Sequence, residues 1–295
     1  MDEETLEKYK QAGKITAEAL AYGKNLIKPE VKLLDVVDAV EEFVKKKNAG
    51  LAFPAQISVN HIAAHYCPDH DDATVFKVGD LVKLDVGCHV DGFVGDSAVT
   101  VDLGNHKDIV EASQKALQNA LSIVKPGVTL GEIGRTIQET ITAYNLTPIK
   151  NLSGHGLDQW EIHSNPSIPN FDTKDKTVLA EGMVIAIEPF ATNGQGWIYE
   201  SSNPTIFAQV ANKPVRSPFS REVLREIQEY NGLPFARRWL VRKFGLGKTS
   251  FALKELMNLG IIKDHPPLPE KANGLVSQAE HSVIVLDKPL ITTQL

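Results

Sequence analysis

Apolar positions near the start of the chain recur at helical spacing. Residues 4–26 read as one amphipathic helix. Residues 33–49 read as a second, with Leu33, Val36, Val37, Val40 and Val44 three or four apart and Gly50 as its stop. A loop rich in His and Asp runs from Asn60 to Asp72. The period then changes: Leu81–Val90 and Phe93–Val101 alternate as strands around Asp91-Gly92, a hairpin signal. Residues 106–124 and 129–144 return to helical spacing, broken by Pro126-Gly127. Residues 150–175, with Pro166 and Pro169, read as loop. Met183–Ile187 reads as a short apolar strand, 218–260 as helix in two or three pieces, and Val276–Leu286 as the last strand.

One pattern occurs twice. Residues 27–42 resemble residues 124–139 at an offset of 97, with Lys, Pro, Val, Leu and the final Glu identical. Downstream, Gly79–Asp85 resembles Gly182–Glu188 at an offset of 103. Order and residues repeat together, and each copy ends an apolar strand on a carboxylate. This predicts two similar α/β halves related by internal pseudo-twofold symmetry.

Composition narrows the class. Of 295 residues, 42% are hydrophobic and 23% charged, too apolar for a disordered chain. The formal net charge is −6, which argues against a nonspecific nucleic-acid binder. The cysteines, Cys67 and Cys88, form no C-x-x-C, so neither a disulfide scaffold nor a thiolate zinc site is expected. The start, Met1–Leu6, is acidic without an apolar core, and no apolar run nears the roughly 18 residues of a membrane span. The expectation is a cytoplasmic protein that engages no membrane and no specific nucleic acid.

Several motifs fail on inspection. Gly247-Lys248-Thr249 ends like a phosphate loop, but Arg242 stands where its first Gly belongs. Gly95–Val99 misses the second Gly of a nucleophile elbow, and no H-E-x-x-H is present.

What remains is carboxylates on strands. Asp85 ends the apolar run Leu81–Leu84, and Asp96 lies on the other arm of the same hairpin. Alternation lets both face one pocket, where two carboxylates need a cation or a proton. Glu188 stands where Asp85 stands in the first copy. The counterpart of Asp96 is open between two residues. Glu200 lies twelve residues past Glu188, and proximity slightly favours it. Glu280 lies ninety-two past it, in a better strand. Three histidines, His65, His155 and His163, sit next to small or loop residues. Carboxylates plus an imidazole suit a pair of divalent cations, Co, Mn, Fe or Zn, which would acidify a bridging water.

These residues resemble a known family. Ala52-Phe53-Pro54, Asn60–Tyr66, Leu84–Gly87, Asp91–Phe93, Asp96, Asn151–His155 and Ile162-His163 are similar to segments of the type II methionine aminopeptidases, in their short archaeal form. So are Ala186–Phe190, Leu233–Leu240 and Gln278–His281. The resemblance implies the pita-bread fold, α/β (α+β), with two pseudo-symmetric halves around a dinuclear metal site. It places a catalytic domain at 1–195 plus 272–295 and a mainly helical insertion at 196–271. It selects Glu280 over Glu200, so that Asp85, Asp96, His155, Glu188 and Glu280 would hold two divalent ions.

By the same resemblance, a hydroxide bridging the metals attacks the scissile carbonyl, and Glu188 takes the proton from the attacking water. His163 would steady the oxyanion and His65 would contact the scissile amide. Phe53 and Ile162 would wall the methionine side chain. The implied activity removes the initiator methionine of nascent chains when the second residue is small, by a monomer in transient contact with the ribosome. Two departures stand out: Ala279 where Phe is usual, and Cys67 where Thr is common. The competing readings are an Xaa-Pro aminopeptidase or prolidase, and a non-catalytic pita-bread binder of ribosomes or RNA. Early Asp85 and the insertion argue against the first, the complete ligand set and acidic charge against the second.

Overall fold

A computed structural model describes residues 1–295. The first half runs α1 (Glu3–Leu26), α2 (Leu33–Lys46), β1 (Gly50–Leu51), β2 (Gln56–Val59), β3 (Ile62–Ala64), β4 (Leu81–Val90) and β5 (Phe93–Asp102). The second opens with α3 (Lys107–Ile123) and α4 (Leu130–Thr142). It continues through β6 (Thr147–Pro148), β7 (Ser153–Asp158), β8 (Glu161–Pro169), β9 (Val184–Ile187) and β10 (Phe190–Thr192). Then come β11 (Ile206–Gln209), α5 (Pro218–Gln228), β12 (Phe235–Ala236), α6 (Arg237–Phe244), α7 (Leu246–Asn258) and β13 (Ile262–His265). β14 (Leu268–Pro269), β15 (Val276–Gln278), β16 (His281–Ile284) and β17 (Leu290–Ile291) close the chain. No helix is long and apolar enough to cross a membrane.

Local chemistry explains the helix starts. The Asp2 side chain accepts from Thr5 N and begins α1, and Thr129 with Glu132 forms a capping box on α4. The α2 stripe Leu33, Val36, Val37, Val40 and Val44 is buried in one core with Val82, Leu84 and Val86 of β4. Across the molecule, Ile133, Ile137 and Ile141 of α4 share a core with Ile185 and Ile187 of β9.

The sequence repeat is a repeat of structure. Leu33 N donates to Thr74 O and Leu130 N to Thr177 O, at 3.0 and 2.9 Å. Glu30 N donates to Phe76 O and Gly127 N to Leu179 O, both at 2.9 Å. Isolated bridges join Lys32 to Val75 and Thr129 to Val178. Every pair is related by the offsets of 97 and 103. Glu30 and Gly127 are both left-handed, at φ 70° and 90°; the second copy uses the residue that adopts this at no steric cost.

Each half supplies an antiparallel sheet. In the first, β4 lies between β1 and β2 on one side and β5 on the other. The second is ordered β17-β16-β9-β7-β8. Between β10 and β14 the chain forms a separate sheet, β12-β11-β13, with its own core around Phe235, Leu240 and Leu256. The segment expected to be mainly helical therefore carries a sheet as well as three helices.

Other expectations change. Residues 150–175, read as loop, form the hairpin β7–β8. Its periodicity is hidden because Gly154 and Gly156 lie where a Cβ would strike Ala186 O and Asn165 O. Pro166 and Pro169 are accommodated because β8 is an edge strand. His155 and His163 therefore sit on strands rather than in loops. The second helix stops at Lys46, and Gly50 begins β1. The last strand is two, β15 and β16, interrupted at Ala279-Glu280.

Candidate metal centre

The two sheets bring five side chains to one point. In the β4–β5 hairpin Gly87 pairs with Asp96 and Asp85 with Ala98, so alternation puts Asp85 and Asp96 diagonally on one face. His155 pairs with Ala186 across β7 and β9. Ile187 pairs with His281, which sets Glu188 and Glu280 one step beyond the end of that ladder. The break between β15 and β16 frees Glu280 from the ladder, and its N–H goes to Ala98 O on the other half at 3.1 Å.

Ligand atoms of Asp96, His155 and Glu280 all lie within 4.8 Å of one another. His155 Nε2 is 3.7 Å from Asp96 Oδ2 and 3.6 Å from Glu188 Oε1. Its Nδ1 lies 3.2 Å from Gly156 O and must donate, because a carbonyl only accepts. Burial drops the His155 pKa to about 3, so the ring is neutral with its Nε2 lone pair toward the carboxylates.

The electrostatics are unbalanced without a cation. Burial pushes Asp85 up to about 7, tempered by the Gln278 amide. Burial first, then the neighbouring carboxylates, hold Asp96, Glu188 and Glu280 well above the ordinary range. No lysine or arginine pairs with any of the four. Asp85 Oδ1, Asp96 Oδ1 and Glu280 Oε2 are buried without a hydrogen-bond partner. Oxygen donors plus one imidazole, with three orphaned oxygens, fit divalent metal.

A cavity of about 200 Å3 opens onto this cluster. Phe53 and Ile162 line it and belong to one apolar cluster with Val94, Leu157 and Ala186. His65, immediately after β3, is left-handed at φ 63°, and its N–H is fixed by Gln56 Oε1 at 2.7 Å. The His163 ring packs on His155 at 4.6 Å and reaches solvent at the cavity mouth. Burial lowers His65 to about 3 and His163 to about 4, so both are neutral near pH 7.

All nine side chains that the family resemblance assigns to the site line this cavity. Glu200 does not; it is exposed, and the proximity argument for it fails because Glu280 arrives from the far side of the 196–271 segment. Two lining or bridging groups escape sequence reasoning. Gln278 Nε2 lies 3.5 Å from both Asp85 Oδ2 and Glu188 Oε2. The signal was its place two residues before Glu280. His265 stacks edge-on to His65 at 5.8 Å, and its Nε2 is buried and unpartnered. Nothing in its sequence surroundings marks it. On the other side of Glu280, Ala279 helps line a cleft of about 460 Å3 with Leu117, Leu121 and Ile291. Cys67 is buried against the Arg238 guanidinium.

Comparison with known proteins identifies the family. Residues 7–218 match metallopeptidase family M24. The chain is 45% identical to a methionine aminopeptidase of Archaeoglobus fulgidus over 97% of each chain. It is 41% identical to that of Methanocaldococcus jannaschii over the full length of both. Among solved structures, a Thermotoga maritima methionine aminopeptidase superposes with a TM-score of 0.75 at 25% identity, covering 100% of this chain and 98% of the other. A thermophilic Arx1 superposes at 0.87 with 19% identity over 99% and 91% of the chains, a likeness of fold alone.

Proposed function

The chain belongs to metallopeptidase family M24, and from that premise we infer that it is a methionine aminopeptidase, removing the N-terminal methionine of nascent polypeptides and peptides when the second residue is small. The observation that carries this reading is the cavity floor: three buried carboxylate oxygens without partners beside a neutral imidazole, under an apolar wall of Phe53 and Ile162. An apolar wall of that kind suits one unbranched apolar side chain.

The residues have separate tasks in this proposal. Asp85, Asp96, His155, Glu188 and Glu280 hold two divalent ions, Co, Mn, Fe or Zn. Such ions, when bound, polarise the scissile carbonyl and acidify a neighbouring water. Glu188 takes the proton from the attacking water and passes it to the leaving amine. His163, neutral, donates its ring N–H to the carbonyl oxygen as charge develops there. His65, held by Gln56, contacts the scissile amide. Phe53 and Ile162 flank the methionine side chain.

The remaining parts of the reading concern organisation. Residues 196–271 form the insertion on a catalytic domain of 1–195 and 272–295, and the enzyme acts as a cytoplasmic monomer. The insertion carries 12 Lys and Arg against 7 Asp and Glu in a chain of net charge −6. That excess of basic residues supports transient contact with the ribosome. Failure to cosediment with ribosomes at low salt would remove this part.

The test of activity is hydrolysis of Met-Ala-Ser and Ala-Pro-Ala by metal-stripped protein refilled with Co, Mn, Fe or Zn. Metal-dependent release of Met alone is expected. Cleavage of the proline peptide instead would transfer the chain to the prolidases, and no turnover with any metal would leave a binding protein.

A further inference from the structure

A groove leads away from the metal cavity, and it is bounded by two strand edges that lack partners. β8 ends its sheet and pairs only with β7. Its outer edge carries backbone N–H and C=O groups that no strand takes up. Opposite lies β11. It pairs with β13 from Ile206 to Gln209, but with β12 only at Ile206 and Phe207. Beyond Phe207, Ala208 and Gln209 face no strand on the β12 side, because the chain turns away through Gly232–Pro234.

The groove between these edges has a volume of about 250 Å3. It shares Ile162, His163, Pro234 and His265 with the metal cavity. At its other end it shares Trp160 and Leu233 with a cleft of about 490 Å3 that includes Tyr230 and Glu229. Cavity, groove and cleft therefore adjoin one another in that order, sharing walls.

We propose that this groove is the subsite for the substrate's main chain downstream of the cleaved bond, held as an extended strand between β8 and β11 on its way to the cleft at Trp160. The inference rests on the aminopeptidase reading and deepens it. With the first side chain against Phe53 and Ile162, the chain beyond the scissile bond leaves past His163 and His265, the residues that cavity and groove have in common. Unpaired strand edges recognise an extended peptide through its backbone. Backbone recognition is indifferent to side chains, which suits an enzyme that meets many different N-termini. It also makes length, rather than downstream sequence, the second determinant of a good substrate.

The experiment compares metal-loaded enzyme on Met-Ala-Ser with the same start extended by Gly and Ser to eight residues. Efficiency, kcat/KM, should rise about tenfold between three and six residues and then level off, mostly through KM. One N-methyl group on the fourth amide should abolish most of that gain. Changing the fourth side chain from Ser to Leu should alter it less than about twofold. Val210→Trp, at an exposed position lining the groove, should lose the gain and keep the tripeptide rate. Equal efficiency for all lengths, or indifference to N-methylation, would overturn the subsite while leaving the activity standing. No release of Met from the tripeptide with any metal would overturn both.

Discussion

Asp96 and Ser282 hold each other by two hydrogen bonds: the Asp96 N–H donates to Ser282 Oγ at 2.8 Å, and that hydroxyl donates to Asp96 O at 2.8 Å. Beside them Ser97 Oγ donates to Glu280 O at 2.7 Å. Each half thus offers a serine that clasps the backbone of a site carboxylate on the other half. The cluster is built on the seam between the halves, and these hydroxyls fix its dimensions.

Ser282→Ala should therefore damage both stability and metal affinity. It leaves the buried Asp96 N–H without an acceptor, at a cost of about 1–3 kcal/mol. Affinity for the divalent ion should fall about 10- to 100-fold, as for other groups that orient ligands. Urea unfolding and metal titration read the two effects. Loss of stability with unchanged affinity would make the clasp structural only.

Glu188→Gln removes the proton acceptor and keeps the shape. We expect kcat on Met-Ala-Ser to drop about 100- to 10,000-fold at saturating metal, with KM little altered. His163→Ala should lower kcat about 100-fold or more by the loss of one donor to the oxyanion. A variant at either position that kept full activity would assign the chemistry elsewhere.

Removing the metal should destabilise the protein more as the pH rises. The Asp85 carboxyl is raised from 3.8 to about 7, and Asp96, Glu188 and Glu280 are raised too. Such groups contribute stability below their ordinary values and lose it as pH rises through the folded ones. His65 and His155, lowered to about 3, behave oppositely: they contribute above 6.5 and lose it as pH falls. The two sets oppose one another between about 4 and 6.5. Above that window the histidines no longer oppose the carboxyls, and there is a cost in stability for as long as a folded carboxyl keeps a proton that the unfolded chain has released. Bound metal takes the ionised form and cancels this cost. The gap in Tm between chelated and refilled protein should widen from pH 6.5 to 8. A gap constant across that range would contradict the geometry.

The 196–271 segment is fastened by charge. Arg238, fully buried on α6, pairs with Glu41 of α2, whose other oxygen accepts from Trp239 Nε1 at 2.8 Å. Arg238→Met strands that carboxylate and should cost about 3–5 kcal/mol. Adding Glu41→Gln should recover most of it, because the stranded charge is then gone. A double-mutant cycle by urea unfolding measures this, and additive losses would show that the pair is not coupled.

Much of this protein was legible in one dimension. Helix starts, the β4–β5 hairpin and the two copies at offsets of 97 and 103 follow from local rules of spacing, capping and turn chemistry. Asp85, Asp96 and Glu188 were visible because each sits at a fixed place on an apolar strand, where a charge is costly and so conspicuous. The resemblance to a known family supplied what spacing could not, above all Glu280 in place of the exposed Glu200.

The tertiary structure decided the rest. β7 and β8 hid in a stretch of Gly and Pro, because close approach and an edge position are set by neighbours that lie elsewhere in the chain. His265 acquires its place where the 196–271 segment reaches the cavity, and Gln278 where β15 pairs with β10. The groove between β8 and β11 belongs to neither strand alone. A sequence records which groups are expensive to bury; which of them meet, and what space they leave between them, depends on contacts between distant segments that no local pattern encodes.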